Sequence, residues 1–201
     1  YKKSMRDTRM IPDIALVDPE LTLTVNSATT ASGGMDTLTQ LIESCITTKR
    51  KESTTKLALE GLSCIRPALL NCYKNPNDIE ARENIALASM LSGVALANAG
   101  LAMVHGIAAG LGALYGIPHG LACGILLPHT LRYNQPSCEK ELSMALAAFL
   151  HQPHTLEATI EQGITEIENL QKAFHIPINL KYIHICKDDL EKLANASMGS
   201  S

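Results

Sequence analysis

Val104-His105-Gly106-Ile107-Ala108-Ala109-Gly110-Leu111-Gly112-Ala113-Leu114-Tyr115-Gly116-Ile117-Pro118-His119-Gly120 is the stretch on which the reading of this chain turns. It lies inside a longer segment, from Asn84 to Leu131, that contains no Asp, Glu, Lys or Arg. So long an uncharged run belongs mostly to a core, and a core that holds imidazoles gives them partners. The pattern predicts that His105 lies toward the end of an Ala- and Gly-rich helix and that His119 follows a Gly116-Ile117-Pro118 turn. If the chain reverses between them, the two rings converge on one point, and a metal ion is one reason for such convergence.

The rest of the composition narrows the class. Almost half the residues are hydrophobic, Trp is absent and aromatics are scarce, so the core is built from Leu, Ile, Val, Ala and Met. That suits packed helices better than a β-sandwich. A formal charge of −3 without charge blocks gives no basic face for nucleic acid. A span of about 20 apolar residues could cross a bilayer. Here Ser89, Ser92, Gly93, Asn98, Gly100 and His105 dilute the run, and basic flanks are missing. The expectation is a buried helix pair of a soluble bundle with no membrane partner. Cys45, Cys64, Cys72, Cys123, Cys138 and Cys186 show no CxxC spacing, and no secretory signal opens the chain. They read as reduced thiols in a cytoplasmic protein.

Along the chain, Tyr1 to Met10 reads as a polar, basic loop. Ile11-Pro12-Asp13-Ile14-Ala15-Leu16-Val17-Asp18-Pro19 is strand-like, and Pro12 argues for an edge or a strand start. Nothing else clearly supplies a partner strand, a first hint that the chain is a piece of something larger. After Asn26 the pattern is helical. Thr29 to Gly34 suits a helix start, followed by Met35, Leu38, Leu41, Ile42, Cys45 and Ile46 at helical spacing. Further helices are predicted from Ser53 to Tyr73 with a kink at Pro67, and from an Asn75–Asp78 turn through Leu96 or beyond. Others carry His105, run from Pro118 toward Tyr133, and cover Glu139–Leu150, Thr155–Phe174 and Lys187 or Asp188 to Ala194. The fold class is an all-α helical bundle with a short β-type N-terminal leader.

Asp36 and Gln40 stand four apart on one helix face, so a carboxylate and an amide oxygen can point to one spot. Singly, each candidate has an ordinary explanation. Asp36 suits the first turn of a helix, Gln40 suits a surface, and His105 and His119 suit hydrogen-bonded core positions. Together, in a polar-poor core, they point to a metal. His129, after Pro128 on the same helix as the pocket wall, is a weaker candidate; His151, His154, His175 and His184 read as surface. Asn98 and Asn134 read as hydrogen-bonding groups, and Gly106, Gly110 and Gly112 as sites of close helix packing.

These residues carry a resemblance. Asp18-Pro19-Glu20-Leu21-Thr22, Gly34-Met35-Asp36 with Gln40-Leu41-Ile42-Glu43, His105-Gly106 to Pro118-His119-Gly120, and Leu127-Pro128 with Tyr133-Asn134 follow in one order and spacing. From about Ile11 to the end, the chain resembles the helical C-terminal domain of an iron-containing (group III) alcohol dehydrogenase, a dehydroquinate synthase-like fold. The resemblance implies a metal-dependent, NAD- or NADP-linked alcohol dehydrogenase or aldehyde reductase acting on a small alcohol or aldehyde. A homodimer would be in keeping with it. It implies Fe²⁺ or Zn²⁺ held by Asp36, His105 and His119, with Gln40 as a fourth ligand or a hydrogen-bonding neighbour. It also implies that residues 1–26 are a leader ending an N-terminal α/β nucleotide-binding domain, that 27–201 form the helical metal-binding domain, and that the chain is shortened at both ends. The fragment alone would then be inactive, because half its cofactor site is absent. Two departures stand out. Gln40 takes the place of a histidine, and Ala109 the place of another often found one turn after His105. They keep two alternatives open: a metal-free, non-catalytic relative with a regulatory or scaffold role, and a plain bundle with structural histidines.

Overall fold

The computed structural model describes residues 7–10, 12–153 and 156–198. Among the described residues seven α-helices carry the fold: α1 (Ser27–Ile46), α2 (Glu52–Lys74), α3 (Ile79–Ala99), α4 (Met103–Tyr115), α5 (His119–Leu150), α6 (Leu156–Ala173) and α7 (Leu190–Ser197). Short 3₁₀ turns cover Thr8–Met10, Pro19–Thr22, Leu180–Ile183 and Lys187–Asp189.

The central layer is α1. It packs against α2, α3 and α5, while α6 covers α5, and α4 is held between α5 and α7. Its apolar stripe, Met35, Leu38, Leu41, Ile42 and Cys45, is wholly buried and meets Ile65 and Leu69 of α2 and Leu127 and Leu131 of α5 in one continuous core. Each of these side chains contributes on the order of 1.5–3 kcal/mol by leaving water. The helix ends follow local chemistry. The Asn26 side chain accepts from the Thr29 amide at 2.8 Å, and Asp78 accepts from Ala81 at 3.0 Å, each satisfying an otherwise orphaned N–H. Thr29–Gly34 therefore lies inside α1, two residues or more past its start. Gly34 is there for packing: a Cβ would sit 2.2 Å from Leu69 Cδ1.

The helical bundle agrees with the sequence, and the β-type leader does not. Among the described residues there is no strand, and 12–18 run as an irregular segment. Ile14 and Leu16 are 85% and 91% exposed, so the short apolar run that resembles a strand has, among the described residues, neither a partner edge nor a core to face. Ile11 lies outside the described residues. The two helices expected between Pro118 and Leu150 are present but abut. Cys138, at φ −147° and ψ 32°, breaks the helical geometry inside α5 where the sequence predicts a gap. Pro67 lies within α2, which continues to Lys74. No single helix among the described residues is long and apolar enough to cross a membrane, and α3 and α4 meet at a 101° bend.

Candidate metal centre

Three helices bring the predicted residues together. Asp36 is in the third turn of α1, with Gln40 and Glu43 following at i+4 and i+7 on the same face. α3 ends at Gly100, whose φ of +71° suits a glycine, and α4 begins at Met103. His105 is therefore in the first turn of its helix rather than near its end, which corrects the expectation from the sequence. The reason is a cap from elsewhere in the chain. Ala102 caps α4 with no side chain of its own. Instead the carboxylate of Glu43, 1% exposed, accepts from the amides of Ala102 at 3.1 Å and Val104 at 2.6 Å. A buried anion at a helix N-terminus is favoured by the unpaired N–H groups and the dipole.

The same carboxylate accepts from His105 Nδ1 at 2.7 Å. A carboxylate accepts only, so Nδ1 carries the proton and Nε2 is directed away from Glu43 toward Asp36. α4 closes on Gly116 in the left-handed region, and the chain reverses through Ile117 and Pro118 to place His119 at the first position of α5. That approach depends on Gly120, where a Cβ would lie 2.2 Å from the Ser32 carbonyl oxygen.

Asp36 Oδ1 is the focus. It is buried, no hydrogen bond reaches it in good geometry, and His105 Nε2 and His119 Nε2 stand 3.3 Å and 3.6 Å away. The two imidazole rings are 5.2 Å apart, centre to centre. Cys123, one turn after His119, completes a cluster: with Asp36, His105 and His119 its donor atom lies within 4.8 Å of every other. Gln40 is turned away. Its amide nitrogen donates to Asp36 Oδ2 at 3.1 Å, and its oxygen accepts from Ser92 Oγ at 2.7 Å.

The electrostatics follow from this crowding. Burial pushes the Asp36 carboxyl up, but the close approach of His105 Nε2 and the charges of His119 and His105 outweigh it and leave it below its ordinary value. Burial disfavours charged His105, yet Asp36, Cys123 and Glu43 together raise its pKa to about 11. Burial dominates at Cys123, whose thiol is pushed up to about 11. A buried carboxylate oxygen without a well-placed hydrogen bond, beside two imidazoles and a thiol, belongs to a donor set suited to a divalent first-row cation.

The other candidates fall outside this cluster. His129 Nε2 pairs with the Ile178 carbonyl at 2.7 Å, tying α5 to the segment after α6. His151, His175 and His184 are exposed and occupy left-handed positions at φ 55°, 55° and 60°. His154 lies outside the described residues. Asn98 is exposed and donates to Val94 O at 2.9 Å, and the Asn134 carbonyl accepts from Cys138 Sγ at 3.3 Å. Gly110 is a packing glycine, its Cβ position 2.8 Å from Ser197 Oγ of α7, whereas Gly106 and Gly112 have more room. Ala109 is half-buried one turn after His105.

Residues 30–201 match the Fe-containing alcohol dehydrogenase family, C-terminal domain. The chain belongs to this family. It is 33% identical to alcohol dehydrogenase 4 of Saccharomyces cerevisiae, with 98% of the chain matched to 51% of that protein. It is 31% identical to an NAD-dependent methanol dehydrogenase of Bacillus methanolicus, with 96% of the chain matched to 51% of that protein. A crystal structure of 1,3-propanediol oxidoreductase superposes with a TM-score of 0.87 at 31% identity, covering 92% of this chain and 49% of that one. The chain thus spans about half the length of these relatives.

Proposed function

We propose that the protein is a metal-dependent, NAD- or NADP-linked alcohol dehydrogenase or aldehyde reductase, and that Asp36, His105 and His119 hold the metal. The observation that carries this reading is the buried Asp36 Oδ1, left without a well-placed hydrogen bond between two imidazole nitrogens. A divalent cation placed there would satisfy Oδ1 and both imidazole nitrogens, which stand 3.3 Å and 3.6 Å from it, at once. Fe²⁺ or Zn²⁺ held there would supply Lewis acidity toward the oxygen of a small alcohol or aldehyde while hydride passes to or from a nicotinamide.

The protein's own groups position that chemistry. Glu43 fixes the tautomer and orientation of His105, and Gln40 holds Asp36 through Oδ2 so that Oδ1 faces the histidines. His119 is one-third exposed and forms the open side of the centre, where a substrate can approach. The names of the relatives support alcohols as the substrate class. The dinucleotide would be gripped largely by residues outside this chain, in an α/β domain that residues 1–26 would join to the helical domain. This chain by itself would then bind metal without turnover, as part of a cytoplasmic enzyme.

The test is hydride transfer followed as NADH or NADPH absorbance with a panel of short alcohols and aldehydes, using the whole protein. Activity should disappear with a chelator, return with Fe²⁺ or Zn²⁺, and be absent in Asp36→Ala. Turnover that survives both chelation and Asp36→Ala would refute the reading.

A further inference from the structure

We infer that Cys123, rather than Gln40, is the fourth protein ligand of this centre, making an Asp36–His105–His119–Cys123 donor set whose thiolate biases it toward Zn²⁺. The inference rests on the metal-binding reading above and deepens it.

The first support is geometry. Cys123 Sγ lies 3.7 Å from His119 Nε2 and 4.0 Å from His105 Nε2. Asp36 Oδ1 lies 3.3 Å and 3.6 Å from His105 Nε2 and His119 Nε2. Around a tetrahedral ion, N and O ligands at about 2.0–2.1 Å stand roughly 3.4 Å apart, and a sulfur at about 2.3 Å stands roughly 3.6 Å from a nitrogen. These four separations therefore come within a few tenths of an ångström of tetrahedral edges before any ion draws the side chains in. His119 and Cys123 are one turn apart on α5, so a single helix face delivers both.

The second support is what Gln40 does instead. Its orientation is fixed by chemistry: the ionised Asp36 carboxylate can only accept, so the amide nitrogen must face it. The amide oxygen is then directed to Ser92, whose hydroxyl is 2.7 Å away. Turning that oxygen toward the histidines would break both bonds. Gln40 is a positioning residue for Asp36.

Charge is the third. Cys123 is fully buried and Asp36 mostly so. In such a place a thiolate is a charged donor to a dication, and so a stronger one than a neutral amide oxygen. A thiolate is a soft ligand that favours Zn²⁺ over Fe²⁺, and a zinc centre with four protein ligands can expand to admit a fifth.

Cobalt(II) spectroscopy on the chelator-stripped, purified protein tests this directly. Wild type should bind Co²⁺ with visible d–d bands and a thiolate-to-cobalt charge-transfer band in the near ultraviolet. Cys123→Ala, with Cys123→Ser beside it in case the smaller side chain disturbs folding, should keep d–d absorption and lose the charge-transfer band. Its Zn²⁺ affinity, measured by competition with a chromophoric chelator, should fall by at least the ~100-fold that an outer-shell partner can cost, and its preference for Zn²⁺ over Fe²⁺ should narrow. Gln40→Ala should retain the band. Co²⁺ bound to wild type without a charge-transfer band, or a band that persists in both Cys123 variants, would overturn the thiolate ligand and leave the Asp-His-His centre standing. Folded wild type that takes up neither Co²⁺ nor Zn²⁺ would overturn both.

Discussion

Replacing Glu43 with Gln is the perturbation that most fully probes how this centre is assembled. The Glu43 carboxylate accepts three hydrogen bonds, from Ala102 N at 3.1 Å, Val104 N at 2.6 Å and His105 Nδ1 at 2.7 Å, and it is 1% exposed. Hydrogen bonds to a charged group contribute about 1.5–3 kcal/mol each. Glutamine keeps one acceptor oxygen and turns an NH₂ toward at least one existing donor. Roughly one bond is then lost and two donors are left facing each other, for a cost of about 2–3 kcal/mol. At ~2–4 °C per kcal/mol for a chain of this size, the melting temperature should fall by about 4–12 °C. Glu43→Ala, which strips all three donors of their acceptor, should cost more. Because Glu43 also orients His105, metal affinity should drop by about 10–100-fold. The assay is thermal denaturation of metal-free protein by circular dichroism, with metal competition on the same samples. Unchanged stability and unchanged affinity in Glu43→Gln would refute the long-range cap and the carboxylate–histidine pairing together.

Glycine substitutions separate two roles. Gly120→Ala places a methyl 2.2 Å from the Ser32 carbonyl, so it should cost at least ~1–3 kcal/mol in denaturant unfolding and weaken metal binding by moving His119 off Asp36. Gly93→Ala, exposed in the middle of α3 with open space around it, should instead stabilise by about 0.5–1 kcal/mol. His151 ends α5 at φ 55°, and His151→Gly should raise stability by about 0.5–1 kcal/mol in the same assay, because only glycine adopts that region without penalty. In the metal-free protein His105 is raised to about 11, so its contribution is complete below pH 6.5 and fades as pH rises toward 11. Asp36 is lowered, so its contribution is present above pH 3.8 and fades as pH falls below it. Denaturant midpoints between pH 7 and 10 should therefore decline for wild type and flatten in His105→Gln; equal slopes would count against the pairing.

Much of the helical frame is legible in the sequence because its determinants are local. Asp78 announces α3, the spacing of Leu38, Leu41, Ile42 and Cys45 announces α1, and the change of pattern near Cys138 marks the break in α5. The leader misleads because Ile14-Ala15-Leu16-Val17 is a short apolar run between prolines, as a strand can be, but pairing is a property of a neighbour the described residues do not supply. The place of His105 within its helix is hidden for a similar reason, since the start of α4 is set by Glu43, about sixty residues away. Asp36, His105 and His119 are recognisable as polar residues in an apolar setting. Glu43 and Cys123 are not singled out as site residues, because a lone acid on a helix and a reduced cysteine each have an ordinary explanation. Two signals could find them: Glu43 is an acid at i+7 from Asp36 on an otherwise buried face, and Cys123 is one turn from His119.

Metal content tests the central claim most directly. Wild type, Asp36→Ala and His119→Ala would be purified anaerobically with Fe²⁺ or Zn²⁺ supplied, checked for fold by circular dichroism, and measured by inductively coupled plasma mass spectrometry. Near-stoichiometric metal in wild type that is lost in both variants is the predicted result. Folded wild type without metal, or variants that retain it, would contradict an Asp36–His105–His119 centre.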